Sequence, residues 1–124
     1  MNEHLNLNHK LIVTIVKKGV ASKIVKATKE VGAEGGTIIF GKGTGVNEVK
    51  KFFGINVEPE KELILTLVSK ENVDAVLVAI EQAGKLDKPG NGVGFVIDAK
   101  KISGIVHLLK LQTQGITQGG KDGK

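Results

Sequence analysis

Apolar residues concentrate in two similar runs, one in each half of the chain. Leu11–Val16 reads LIVTIV, Leu63–Val68 reads LILTLV, and a sixteen-residue segment ending in glycine follows each run. An offset of 52 positions aligns the two copies without a gap, so the sequence contains an internal repeat. Because each run is short and rich in β-branched residues, it is typical of a buried strand.

The segment after each apolar run has the spacing of an amphipathic helix. In the first segment, lysines occupy the positions outside the apolar face. The positions that share the apolar face are Ile24, Val25, Thr28 and Val31 in the first segment and Val73, Val76, Leu77 and Ile80 in the second. Gly32 and Gly84 stand where a glycine would end each helix as a C-terminal cap.

Two further strands are predicted, at Thr37–Phe40 and Gly94–Asp98. The resulting order, β-α-β-β-α-β, predicts an α+β fold: a ferredoxin-like sandwich with an antiparallel sheet and right-handed crossovers. We expect this domain to span residues 10–110, between a flexible polar lead at residues 1–9 and a flexible tail at residues 111–124.

The two repeated strands are apolar on both of their alternating faces. A ferredoxin-like fold places both helices on the same face of the sheet, so the opposite face has no cover from within the chain. Another copy of the same sheet is the least costly cover. The sequence therefore predicts a homo-oligomer.

The segment Val46–Glu62 mixes charged residues with the pair Phe52-Phe53. It is too long for a tight hairpin, and long loops in compact domains are usually functional or disordered. Two interpretations of the phenylalanine pair stay open: packing on the chain's own domain, or docking on a partner.

The net charge of +5 comes from 18 lysines without a single arginine, and the chain has four phenylalanines but no tyrosine or tryptophan. Base and phosphate forks need arginine, and base stacking needs aromatic rings. The stretch GVGFVID, Gly92–Asp98, is similar to the RNA-contact motif of RNA recognition motifs, but it falls on the fourth predicted strand and lacks the outer aromatics. We therefore expect a solvated basic surface and no nucleic-acid partner.

Several other classes of function find no support in the sequence. No apolar run approaches the length of a membrane span and the first residues are polar, which favours a cytoplasmic protein. There is no cysteine, the three histidines are isolated, and no catalytic motif is present. We expect neither an enzyme nor a metal site, and we expect the acidic group Glu58, Glu60 and Glu62 to be solvated.

Two glycine-rich stretches are candidate ligand loops. GTIIFGKGTG, Gly36–Gly45, nearly matches a P-loop, but a P-loop has serine or threonine where Gly43 stands. The residues between its first two glycines also have the pattern of a strand, so we interpret the match as coincidence. A flexible turn and a ligand-binding exit from the strand both fit this stretch. The second stretch, DKPGNG at Asp87–Gly92, fits either a simple turn or a backbone nest for an anion.

Taken together, these stretches resemble the PII nitrogen-regulatory signal proteins. Val31–Gly45 is similar to the end of that family's first helix and the strand that leads into its T-loop. Lys88–Gly92, followed by Phe95, is similar to its B-loop and last strand. The resemblance covers about residues 10 to 106, with a shortened T-loop at about residues 46–60.

The resemblance implies a trimer whose sheets line the centre, with ATP or ADP as a regulatory ligand, not a prosthetic group, in clefts between subunits. It also implies a T-loop that docks on a membrane transporter or a metabolic enzyme, in nitrogen metabolism, and so can recruit a cytoplasmic protein to the membrane. The implied partner contacts are Phe52 and Phe53. The implied nucleotide contacts are Thr37, Gly45, Val46, Leu67, Lys88, Gly90, Asn91 and Gly92.

The chain departs from the family pattern at several positions. Val93 replaces a B-loop lysine, and Gly104 and Val106 replace two basic residues that grip phosphate, so weaker nucleotide binding or a different ligand is left open. Asn47 replaces a glutamine important for magnesium and 2-oxoglutarate, which argues against 2-oxoglutarate sensing, and the absence of tyrosine excludes tyrosine modification. The alternative is a CutA-like trimer of the same fold, with another small ligand or a role in metal tolerance.

Overall fold

The computed structural model describes residues 8–44 and 50–104. Its strands are β1 (His9–Lys17), β2 (Thr37–Lys42), β3 (Lys50–Phe52), β4 (Ile55–Val57), β5 (Glu60–Ser69) and β6 (Gly92–Ala99). Its α-helices are α1 (Ala21–Glu30) and α2 (Val73–Gly84), and a 3-10 turn at Lys70–Asn72 precedes α2. All of these elements belong to one compact unit, Asn8–Ala99, and residues from Lys100 onward belong to another.

The main sheet confirms the predicted ferredoxin-like fold. Its four strands are antiparallel in the order β2-β5-β1-β6. The two repeated runs form the central strands, and Val13 lies opposite Leu65 in their ladder. β1 begins at His9, which is buried and lies within the segment predicted as a flexible lead. β2 and β6 are each longer than the sequence predicted.

The core lies between the two helices and one face of the sheet. Its fully buried large side chains include Ile12, Val16, Ile24, Ile64, Val76 and Ile80. They follow the predicted periods of two in the strands and 3.6 in the helices. Val31 is the exception among the predicted helix-face residues: it is exposed because α1 ends at Glu30 and Val31 is already the cap.

The two predicted glycine caps have different outcomes. Gly32 has a φ of +108°, as a cap in the left-handed region requires. The prediction for Gly84 is wrong, because the left-handed residue after α2 is Lys85, with a φ of 52°. Gly84 is instead buried, and a Cβ there would lie 3.0 Å from Cδ1 of Ile24. Close packing between the two helices explains this glycine.

Residues 46–60, which we call the arm, contain a β-hairpin where the sequence predicted only a loop. β3 and β4 form a separate two-stranded sheet. Phe53 and Gly54 connect them with φ values of 52° and 80°, which is the backbone of a type I′ turn. Phe53 is 89% exposed, so packing on its own domain does not explain this side chain.

The sheet face opposite the helices is apolar and uncovered by the described residues. We call it the open face, and its apolar residues are Leu11, Val13, Ile15, Ile39, Leu63, Leu65, Leu67, Val93, Phe95 and Ile97. Val93, Phe95, Ile97 and Ile39 are each between 44% and 51% exposed. The structure thus confirms the expectation that one face lacks cover from within the chain.

Candidate functional site

The predicted nucleotide contacts fall on opposite edges of the sheet. Thr37 begins β2 at one edge, and Gly92 begins β6 at the other. Three strand spacings separate these edges, which amounts to about 14 Å. One chain therefore does not bring the two groups together. Gly45 and Val46 lie outside the described residues.

On the first edge, the predicted contacts lie on or beside the open face. Thr37 is exposed and lies opposite Leu65 in the ladder. Leu67 lies on the next strand, half-buried and opposite Leu11. β2 continues through Gly41 to Lys42, and the N–H of Gly43 then donates to the carbonyl of Pro59 at 3.1 Å. The glycine-rich exit therefore begins after Lys42, two residues later than predicted.

The loop at the second edge holds its shape through its own hydrogen bonds. The N–H of Asn91 donates to the carbonyl of Lys88 at 3.2 Å, and the N–H of Lys88 donates to that of Lys85 at 3.1 Å. Nδ2 of Asn91 donates to the same Lys85 carbonyl at 2.9 Å. Two of the amides that a nest would offer are thus already used. The exposed Lys88 side chain and the open space around Gly90 are what the loop presents to solvent.

Gly92 has a steric role that the sequence did not reveal. A Cβ at this position would lie 2.5 Å from the carbonyl oxygen of Ile15, and φ is +147°. Both facts exclude a side chain, because real Cβ atoms do not approach backbone that closely and L-residues rarely adopt this backbone. The glycine is therefore required for β6 to join β1, whatever the loop binds.

A second concave region, which the sequence did not predict, lies where β2 ends and β5 begins. We call it the lysine cavity; it has a volume of about 450 Å³ and is lined by Lys18, Phe40, Gly41, Lys42, Glu60 and Lys61. Nζ of Lys18 lies 2.8 Å from Oε1 of Glu60. This hydrogen bond and the opposite charge raise the pKa of Lys18 and lower the pKa of Glu60.

The prediction that Glu58, Glu60 and Glu62 are all solvated is wrong for Glu62. This residue is 8% exposed, and its Oε1 accepts the N–H of Ala21 at 2.8 Å. α1 starts after Val20, which offers no side-chain cap, so a carboxylate from β5 supplies one. Strand alternation carried the signal, because Glu62 is in phase with the buried Ile64.

Two expectations about absent features concern only part of the chain. Among residues 8–44 and 50–104, no three His, Asp or Glu side chains are grouped as a metal site would need. The helices within those same ranges are too short or too polar to cross a membrane.

Comparison with known proteins gives one match. The family model described as "Nitrogen regulatory protein P-II" matches residues 9–107, which is most of the chain. A search of curated proteins found no match. The family match supports the first of the two interpretations of the sequence, over the CutA-like alternative.

Proposed function

This chain belongs to the nitrogen regulatory protein P-II family, and on that premise we propose that it is a homotrimeric signal protein that binds ADP or ATP between subunits. Proteins of this family are regulatory proteins, not enzymes, and they generally respond to ATP, ADP or 2-oxoglutarate. In our proposal the arm carries the signal to a membrane transporter or a metabolic enzyme. The protein is cytoplasmic and reaches the membrane through that partner.

The placement of the predicted contacts at opposite edges of the sheet is the observation that supports this proposal best. Thr37 and the Lys88–Gly92 loop belong to one site only if different chains supply them. The open face gives the reason for chains to associate, because it leaves ten apolar side chains without cover among the described residues. Association on this face and a site between subunits are therefore parts of one hypothesis.

The nucleotide's phosphates must be held without arginine. Lysine offers a point charge in place of a planar fork, so it fixes phosphate geometry less strictly. Among the predicted contacts, Lys88 has the one cationic side chain, and it is exposed at the loop tip. In our proposal Lys88 neutralises phosphate charge, while Asn91 keeps the loop in shape through its bond to the Lys85 carbonyl.

Calorimetry with ADP and ATP tests the proposed site. We expect binding by the unaltered protein and a loss of about 1–3 kcal/mol in Lys88→Ala, the range for losing a charged hydrogen-bond partner. Lys26→Ala, which removes an exposed lysine from α1, is the matched control and should leave the affinity unchanged. Absence of heat with every adenine nucleotide, or equal losses in both variants, would contradict the proposal.

The arm is the part of the chain best placed to meet a partner. Its tip presents Phe53 and Ile55, which are 89% and 67% exposed. Its β5 end is tied to β2 by the hydrogen bond from Gly43 to Pro59. A ligand that contacts the start of the arm could therefore change the arm's orientation without disturbing the sheet. The side chain of Phe52, the other predicted partner contact, lies outside the described part of the chain.

A further inference from the structure

The lysine cavity lies on the helix side of the sheet, away from the open face. In the β2–β5 ladder, Phe40 lies opposite the core-facing Glu62, and Lys42 lies opposite Glu60. At about 450 Å³, the cavity falls within the range of small-molecule pockets, about 300–1,000 Å³. It is also distant from the predicted nucleotide contacts, because Thr37 is at the other end of β2 and Lys88 is at the other edge of the sheet.

The charges that line the cavity are unbalanced in favour of an anion. Three lysines line it with a single carboxylate, that of Glu60. Lys18 forms an ion pair with Glu60 at 2.8 Å, and the charge of Lys42 also favours the ionised form of this carboxylate. The Lys18 and Glu60 side chains are 64% and 56% exposed, so the pair is open to exchange with a competing anion.

The cavity also offers an aromatic surface that nothing in the described chain covers. Phe40 is 71% exposed, although it lies in a strand whose neighbouring helix-side residue, Ile38, packs against the core. Exposure of a large aromatic ring leaves its apolar area in contact with water. Here the ring borders a concave surface with lysines, which suits a ligand that has both an apolar part and a charged part.

We propose that the lysine cavity binds a small organic anion that carries a phosphate or carboxylate group next to an apolar part. The anionic group lies between Lys18 and Lys42, and the apolar part lies against Phe40. This site uses none of the predicted nucleotide contacts, so it stands whether or not nucleotides bind at the subunit edges.

Glu60 gives the site a characteristic behaviour. A bound anion takes Lys18 away from Glu60, so this carboxylate competes with the ligand. Glu60 is also the first residue of β5, immediately after the arm, and its backbone carbonyl accepts the N–H of Lys18 at 3.4 Å. Occupancy of the cavity therefore rearranges the contacts where the arm joins the sheet.

Phenyl phosphate and inorganic phosphate are suitable probes, followed by amide NMR at pH 8, where both are dianions. We expect phenyl phosphate to bind more tightly and to shift the amides of Gly41, Lys42 and Lys61. Lys42→Met should weaken both probes about tenfold, as loss of a charged partner predicts. Phe40→Ala should remove the preference for phenyl phosphate, and Glu60→Gln should tighten both probes.

Two controls distinguish binding in the lysine cavity from attraction to general surface charge and from binding at the nucleotide loop. Lys26→Met removes an exposed lysine from α1 and should leave both affinities unchanged; an effect equal to that of Lys42→Met would mean general surface charge and would overturn the proposal. Lys88→Ala should also have no effect, whereas an effect there would assign the phosphate to the nucleotide loop. Unchanged amides at Gly41–Gly43 at saturating phenyl phosphate, or weaker binding in Glu60→Gln, would likewise refute the site.

Discussion

Single side chains of this protein take roles that their position in the sequence does not announce. Glu62 stands in a run of acidic residues, yet it caps a helix that begins 41 positions earlier in the chain. Its burial could be predicted from strand alternation, but its partner could not, because the contact depends on how β5 lies against the start of α1. In the same way Gly84 follows a helix pattern, and only the packing of Ile24 shows why it must be small.

The cap at Glu62 gives a prediction at this scale. Glu62→Ala leaves the N–H of Ala21 buried without an acceptor, so the free energy of unfolding should fall by about 1–2 kcal/mol. Glu62→Gln keeps an oxygen that can accept this N–H and should recover most of the loss. Urea denaturation at a fixed chain concentration measures both variants.

Glu58→Ala is the matched control, because Glu58 is exposed on the same segment. We expect it to change the free energy of unfolding by less than about 0.5 kcal/mol. If Glu58→Ala and Glu62→Ala were equally destabilising, the contribution of Glu62 would come from the net charge of the segment and not from capping.

At the scale of elements, the sequence predicted every strand and helix of the main domain. Those elements have strong periods because each places one face in the core. The arm's hairpin escaped prediction because its strands have three residues each and because Phe-Gly occupies a turn where Asn-Gly is the usual signal. Its place in a separate two-stranded sheet leaves no buried face to create a pattern.

The unusual turn of the arm leads to a second prediction. Phe53 has a backbone conformation that costs a non-glycine residue about 1–2 kcal/mol, and its side chain is almost fully exposed. Phe53→Asn should stabilise the hairpin, since Asn-Gly suits this turn, while removing the aromatic contact. We expect this variant to keep the oligomer and nucleotide binding but to lose the partner that the unaltered protein captures from native membranes.

Deletion of residues 48–57 is the comparison for this substitution. It should remove the same partner and also leave the sheet intact. Capture of that partner by Phe53→Asn at the original level would contradict the role of the aromatic tip. Unfolding of the deletion variant would show instead that the arm is part of the core.

At the scale of the whole molecule, the sequence predicted an uncovered sheet face but not the geometry of a complete site. The repeated strands revealed the face because their alternating positions are all apolar. Local patterns could not show that Thr37 and Lys88 lie at opposite edges, since this follows from the strand order of the sheet. A site built between chains leaves no continuous pattern along any one chain.

The open face makes the third prediction. Phe95→Glu places a charge among the apolar residues of that face, and burial of an unpaired charge is costly. Light scattering should report three chain masses for the unaltered protein and one for this variant. Val78→Glu, on the outer side of α2 and of similar exposure, should leave the trimer intact. A monomer for the unaltered protein, or dissociation of both variants, would contradict assembly through the open face.

The register of the two central strands has a further meaning. Val13 lies opposite Leu65, and these two positions are equivalent in the 52-residue repeat. A pseudo-twofold axis therefore passes through this pair and relates the two halves of the sheet. Even a flaw is duplicated: the hydroxyls of Thr14 and Thr66, which are also equivalent, are both buried without a hydrogen-bond partner among the described residues. The domain has the symmetry of two fused half-length chains, and the arm, inserted between the halves, breaks that symmetry and distinguishes one edge from the other.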